Sequence, residues 1–510
     1  MVPAEPPPTV FVQPVPPPAS VPGGAQPADP SKDPSNAGAP LAPVAVQVAV
    51  PMVEPNARLD YNDGSFSLRS RHDNLVLTIG ARAHLDLYAY GGPGVSDYQR
   101  SSNGTGLKPN LFFRRFIFEF GGMIRKKWFF WLGGNFGQTT LAGDNSQDPI
   151  STAGVYDGFV GYTPIPTLKI YFGQFNEPFT MENVTSSRWL DMMERALIVR
   201  TVATPYNKAE GLMAWGETRA KHFEYQVGVF GGDGQNRPNL DDRFDGTLRL
   251  VARPFASRSQ AFKRAHVGVG GRIGRRDSHF VRYDAPSLNT PGGYAFWSST
   301  YDAGAAGDTH VVPSRLQAAT SGELYLPFER WDFKGEVVYV HEERREVLAS
   351  DRSKSLRGGL FSGIGGYGQL SFWLLGSARI NGNPAGYYGM TKLPDGTTGN
   401  EFPHALQLVA RGEIVRLNYD SNSRFGDEGQ LANKTQNIDV NVYQLAINYW
   451  ATKHVRLTAE YSFYQFPGTP SGSAPGTVDN QAVAPGARSG GTAPDANSLH
   501  EISFRAGLAL

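Results

Sequence analysis

The chain has 510 residues, with 48 Lys plus Arg against 47 Asp plus Glu and a formal net charge of +1. A near-neutral chain lacks the basic excess on which nucleic-acid binding rests. The absence of cysteine excludes disulfide scaffolds, thiolate zinc sites and thiol nucleophiles. With 12% aromatic residues, 19% charged residues and 59 glycines, the composition suits many strands and tight turns better than helices.

The first 55 residues hold 16 of the 37 prolines, including Pro6–Pro8 and Pro16–Pro18, and the first Arg is Arg58. Such a segment donates few backbone hydrogen bonds and buries little, so residues 1–58 are expected to be a disordered, extended tail on the periplasmic side. It lacks the basic start and unbroken apolar run of a signal peptide. It reads as a flexible tail or as a spacer reaching a periplasmic or cell-wall partner.

Beyond it, residues 59–510 read as one domain with a uniform two-residue period. Leu75, Leu77, Ile79, Ala81, Ala83, Leu85 and Leu87 share one parity, while Thr78, Gly80, Arg82, His84 and Asp86 share the other. That pattern is a long strand with one apolar face. Val455–Tyr464 and Ile502–Leu510 repeat it. Sixteen such segments are expected, centred near residues 80, 116, 132, 158, 171, 214, 227, 250, 269, 320, 338, 370, 410, 444, 460 and 504. Short turns such as Arg125-Lys126-Lys127 alternate with long polar links such as 91–110, 277–312 and 467–497. Gly358–Ala378 carries no charge, but seven glycines argue for strand and turn over a membrane helix.

The strands are too long for a soluble sandwich. The apolar parity carries aromatics near its ends, such as Trp128, Phe130, Phe136, Tyr443 and Tyr449, while the other carries Arg, Glu, Gln and Asn. The pattern therefore implies an all-β, 16-stranded antiparallel transmembrane barrel, apolar toward lipid and polar toward its lumen. Closure also removes the edges that such strands would expose.

Four stretches resemble the phosphate-selective porin O/P family of Gram-negative outer membranes. They are Phe113-Arg114-Arg115-Phe116; Gly173–Phe179 with Thr185-Ser186-Ser187 and Met193-Glu194-Arg195; Leu250–Phe255; and Ala405–Tyr419 together with Leu445–Trp450 and His454–Leu457. The resemblance implies an integral outer-membrane homotrimer in lipid and lipopolysaccharide. It also implies passive conduction of small anions, phosphate or polyphosphate among them, and a loop from this region folded inward to constrict the channel. The chain departs from the pattern in ending on Leu510, where such barrels usually end in Phe, and in its proline tail.

Anion passage needs fixed cations that replace hydration yet release the ion, and Arg offers a permanently charged fork of donors. Parity assigns Arg82, Arg115, Lys169, Arg249, Arg253, Arg272, Lys334, Arg411, Arg456 and Arg505 to the lumen, against Asp86, Glu119, Glu336, Glu413 and Glu460. That ratio favours anions. Arg114 has the wrong parity and is assigned to the interfacial belt or a neighbouring subunit. The long connection from Asn176 to Ala209 carries Arg188, Arg195, Arg200 and Lys208 as further candidates to line the pore and bind the anion, and Arg188, Arg195 and Arg200 are expected near the constriction. A blander reading has them paired with Glu182, Asp191 and Glu194 to hold the loop. Trp189 and Met192-Met193 are expected to pack it on the wall.

No histidine pair has metal spacing, and Gly268, Gly270 and Gly271 lie within a strand rather than before a helix, so no metal or cofactor is implied. His341, His404 and His454 lack a Ser companion, so an outer-membrane hydrolase is not supported. The alternatives to an anion channel are a general small-solute porin and an adhesive or scaffolding barrel.

Overall fold

The structure, a computed structural model, describes residues 57–509 except 63–64, 97–106, 139–152, 166, 205–206, 240, 258–261, 263, 278–282, 298–308, 329, 349–354, 376–377, 381–387, 391–403, 421–434, 453 and 468–496. The proline-rich stretch lies outside the described residues.

Twenty-two strands follow in order: β1 (Ala57–Asn62), β2 (Ser65–Ser70), β3 (Leu75–Gly91), β4 (Asn110–Ile124), β5 (Trp128–Asn135), β6 (Gly154–Ile165), β7 (Leu168–Asn176), β8 (Lys208–Glu217), β9 (Phe223–Phe230), β10 (Asp245–Ala252), β11 (His266–Arg276), β12 (Leu288–Asn289), β13 (Ala295–Trp297), β14 (Thr309–Pro327), β15 (Trp331–Leu348), β16 (Ser355–Leu375), β17 (Ala378–Ile380), β18 (Tyr388–Met390), β19 (Ala405–Asp420), β20 (Thr435–Trp450), β21 (Val455–Gln465) and β22 (Ser498–Ala509). Sixteen of them, β3–β11, β14–β16 and β19–β22, form a closed antiparallel barrel, sealed where β22 pairs with β3 from Ala509↔Arg82 to His500↔Gly91. All sixteen expected segments are barrel strands, and the glycine-rich 358–375 stretch lies within β16.

One end of the barrel is closed by short turns. Arg125 and Lys126, at φ of 50° and 59°, make the left-handed corner that suits a twisted two-strand hairpin. The β10–β11 and β16–β19 connections at that end are longer, and the latter carries the β17–β18 ribbon. A hairpin not anticipated from the sequence, β1–β2, sits at the same end. It pairs with β3 from Phe66↔Ile79 to Arg69↔Val76, below the stretch of that edge covered by β22. It thus covers backbone donors and acceptors that the C-terminal strand leaves open.

The outer face is apolar: Phe113, Phe116, Phe118 and Phe120 of β4 are exposed, while Arg115 and Glu119 between them are buried. Toward the long-loop end the two faces exchange character on β19 and β20. On β20, Tyr443, Leu445 and Ile447 point outward, but further up Asn437, Asp439 and Asn441 do so while Ile438, Val440 and Val442 point inward. On β19, Arg416 and Asn418 face out and Val415, Leu417 and Tyr419 face in. The expectation of a uniformly apolar exterior and polar bore therefore fails there. Above the lipid the outside of the barrel meets water, and the inside is covered by loops, so the usual soluble pattern returns.

Those covering loops pack a core within the barrel mouth. Ala196–Val199 and Val202 of the 177–207 loop, and Leu288, Phe296 and Trp297 of the loop after β11, are packed with Val340, Leu417 and Val440 of the wall. Each aliphatic or aromatic side chain so withdrawn from water contributes about 1.5–3 kcal/mol. The loops are therefore part of the folded interior.

Candidate functional site: the loop-filled bore

Residues 177–207, between β7 and β8, enter the barrel and cross it, as the resemblance implied. Their fold includes a single helical turn, α1 (Met181–Val184), capped by Thr180, whose hydroxyl accepts from the Asn183 N–H at 3.1 Å. Wall carboxylates take up the loop's other backbone donors. Glu336 of β15 accepts from Met181 N at 2.6 Å and Glu182 N at 3.1 Å; Glu460 of β21 accepts from Met193 N at 2.8 Å. Glu413 of β19 accepts from Leu197 N at 2.5 Å. Wall donors reach the carbonyls in turn: Arg456 to Leu190 O at 2.5 Å, Asn448 to Asp191 O at 2.7 Å, and Arg411 to Glu194 O at 3.2 Å. An irregular segment inside a barrel is tolerable only when its backbone is satisfied in this way.

The packing assigned to Trp189 and Met192-Met193 is largely as expected. Trp189 stacks on Trp450 at 5.9 Å, and Met192 packs on Val409 and Ala446. The ion pairing differs from the reading that set loop arginines against loop acids. Loop acids instead bind wall cations: Glu194 binds Arg115 and Arg505, Glu182 binds Arg411, and Asp191 binds Lys334. Arg195 is buried and spends its guanidinium on loop carbonyls, those of Glu182 at 2.8 Å, Asn183 at 3.3 Å and Thr185 at 2.9 Å. It holds the loop's shape. Arg200 donates to Asn289 of the neighbouring inserted loop, at 2.7 Å to its side chain, and so links the two loops. Arg188 reaches Glu119 at 2.7 Å and remains about one-fifth exposed, with side-chain exposure of 21%.

The wall cations fall into separate groups. Arg249 grips Glu323 at 2.9 and 2.6 Å and shares Glu224 with Arg253, which also binds Glu217; Arg272 binds Glu342 at 3.2 Å. Lys208 is buried on Asp157 and Asn176. Lys169 lies over the Trp215 ring at 3.7 Å. Arg411 binds Gln444 at 2.7 Å and lies 3.1 Å from Glu413.

Arg82, Arg115, Arg188, Arg456 and Arg505 converge where β3, β4, β21 and β22 meet. Arg82 donates to Glu119 at 2.5 Å and to Ser187 at 2.8 Å. Arg505 contacts Asp86 at 2.7 and 2.6 Å and Glu194 at 2.7 Å. Arg456 lies over Trp450 at 5.0 Å as well as on Leu190 O.

Arg114 belongs to this sector too, which corrects its assignment to the outer belt. The β3–β4 register shifts between His84↔Arg115 and Leu85↔Phe113, so Arg114 is a bulge residue, and its Nε lies 3.6 Å from Glu194. The sequence did hold a signal. Leu111 and Phe113 have one parity and Phe116, Phe118 and Phe120 the other, so a residue must be inserted between them.

The ten-to-five excess of lumenal bases does not survive. Among the described residues, nineteen Asp and Glu side chains are buried against fourteen Arg and Lys. The count from parity omitted the loop acids and wall acids such as Asp157, Glu224, Glu323 and Glu342. Among the described residues the buried charge is acidic overall and locally uneven. Around Glu194, burial would raise the carboxyl pKa, but Arg115 and Arg114 outweigh it and hold the group well below the usual carboxylate range.

A closed barrel with an apolar lipid-facing wall, a charged interior and a loop drawn across the bore defines an integral outer-membrane channel of the porin type, a passive conduit of a Gram-negative bacterium. The model of the family described as phosphate-selective porin O and P matches residues 89–277, from the end of β3 through β11, and bears out the resemblance read from the sequence. No curated protein matches the chain. Among solved structures, the in-vitro folded trimer form of OmpT, an outer membrane protein of Vibrio cholerae, is 10% identical with a TM-score of 0.45, over 86% of this chain and 100% of that one. The outer membrane channel DcaP of Acinetobacter baumannii is 9% identical with a TM-score of 0.44, over 87% and 99%. An anion-selective porin from Comamonas acidovorans is 11% identical with a TM-score of 0.41, over 86% and 100%.

Proposed function

We propose that this channel prefers anions, and that the preference is set where β3, β4, β21 and β22 meet rather than by the bore as a whole. One observation carries the reading. Among the described residues, the guanidiniums of Arg82, Arg188, Arg114, Arg115 and Arg505 gather on the carboxylates of Glu119, Glu194 and Asp86, at 2.5–3.6 Å. Guanidiniums gathered in one buried sector act on a passing ion more strongly than they would in water. Phosphate or polyphosphate is the finer expectation from the family, since paired guanidiniums match its oxygens. Arg82, Arg115, Arg188 and Arg456 are the residues proposed to meet the anion. Arg195, Arg200, Arg249, Arg253, Arg272, Arg411, Lys208 and Lys169 are proposed to hold the loop and wall.

A general porin with little ion preference is the second reading, favoured by the excess of buried acids. Reversal potentials across a KCl gradient in planar bilayers separate the two, because a potential near zero refutes anion preference. Chloride conductance that stays flat as inorganic phosphate is added refutes the phosphate zone. A homotrimer in lipid and lipopolysaccharide, and a tail over residues 1–58 that meets a periplasmic or cell-wall partner, complete the proposal.

A further inference from the structure

The 190–196 segment of the inserted loop ends a side chain in an unusual place. Glu194 accepts a two-point fork from Arg115, at 2.7 Å to Oε1 and 2.9 Å to Oε2. Its Oε1 also accepts from Arg505 at 2.7 Å and lies 3.6 Å from Arg114 Nε. Three guanidiniums around one carboxylate is the arrangement by which proteins hold a carboxylate or phosphate ligand. Here the ligand is part of the chain. The same segment is held by bonds to its backbone, Met193 N to Glu460 and Arg411 to Glu194 O, and Arg505 also donates to the Met193 carbonyl.

We propose that Glu194 is a built-in ligand of the Arg114–Arg115–Arg505 cradle, and that a free oxoanion, carboxylate or phosphate, competes with it. The inference rests on the anion-channel reading and adds a coupling to it. An anion that takes the cradle displaces the Glu194 side chain and weakens the hold on residues 190–196. A loop that is docked opposes the anion by the same factor, because linkage is reciprocal. Asp86 stays on Arg505 in either state, so the departing carboxylate leaves its two-point fork on Arg115 for a solute anion to take up.

The test uses the full-length channel with Glu194→Gln, which keeps the shape and removes the charge, and Glu194→Asp, which keeps the charge. Chloride current in planar bilayers is titrated with inorganic phosphate in one arm and acetate in the other. In Glu194→Gln the concentration giving half-block should fall at least about fivefold, the low end of ordinary coupling factors, while Glu194→Asp stays nearer the wild type. A response to phosphate alone assigns the cradle to phosphate, and a response to both assigns it to oxoanions in general. In wild-type protein, either responding anion should also speed hydrogen exchange at the Met193 and Leu197 amides, a readout that needs no variant. A wild type with anion preference, unchanged half-block in Glu194→Gln and anion-insensitive exchange overturns the displacement alone. A wild type with zero reversal potential overturns the anion reading itself.

Discussion

The docking of the inserted loop can be broken at Asp191 without touching the barrel's hydrogen-bond ladders. Its carboxylate accepts from Lys334, from Gln369 at 2.6 Å and from Gln407 at 2.8 Å, all on the far wall from the loop's root. In Asp191→Asn the charge is lost and one acceptor becomes a donor facing donors. Lys334 then keeps Asp332, at 3.9 Å. Removing one member of a buried pair costs about 3–5 kcal/mol. At about 1.4 kcal/mol per decade, a loss of about 3 kcal/mol raises the undocked population of the loop about a hundredfold. The assay is hydrogen exchange of the loop amides, since Met193 N, Ala196 N and Leu197 N are all bonded to carboxylates in the docked state. Their exchange should quicken by up to about two decades, while amides of β14–β16 keep their protection. If loop exchange in Asp191→Asn matches the wild type, the wall does not hold the loop as argued. If strand protection falls equally, the loop is not a separable unit.

Arg188→Gln should lower anion preference in reversal potentials, because it removes the partly exposed member of the guanidinium cluster. Arg200→Gln should change conductance noise rather than selectivity, because its bonds run to Asn289; equal loss of selectivity from both variants would refute the division. Trp189→Ala should raise single-channel conductance, since its ring packs over Trp450 at the short-turn side of the loop; an unchanged conductance would place the narrowing elsewhere. Acidification from pH 7 to 5 should not loosen the loop. The depressed pKa of Glu194 means its docking contribution is complete above the ordinary carboxylate value of about 4.3 and is lost only as pH falls through the depressed one. Glu182, raised by burial against the pull of Arg411, takes up its proton more readily when docked and so acts in the same direction. Faster exchange at Ala196 and Leu197 near pH 5, after correction for intrinsic rates, would contradict both signs.

Much of this protein is written in its two-residue period. All sixteen barrel strands and the inward turn of 177–207 were readable, the strands because a lipid-facing strand must alternate, the loop through its family motifs. Arg114 shows where parity fails: a single inserted residue reverses every later assignment, and only the β3–β4 register fixes where it sits. The β1–β2 hairpin was missed because six-residue strands that complete an edge carry too little pattern of their own.

Alternation decided which residues share a face, since that follows from backbone geometry alone. It could not decide what each face would meet. Only the tertiary structure shows that the upper half of β20 reverses its polarity beneath the inserted loops, and that Glu194 rather than solvent fills the arginine cradle. Those facts depend on residues brought together from distant parts of the chain, in the cradle 79 to 311 positions apart, where no local period reaches.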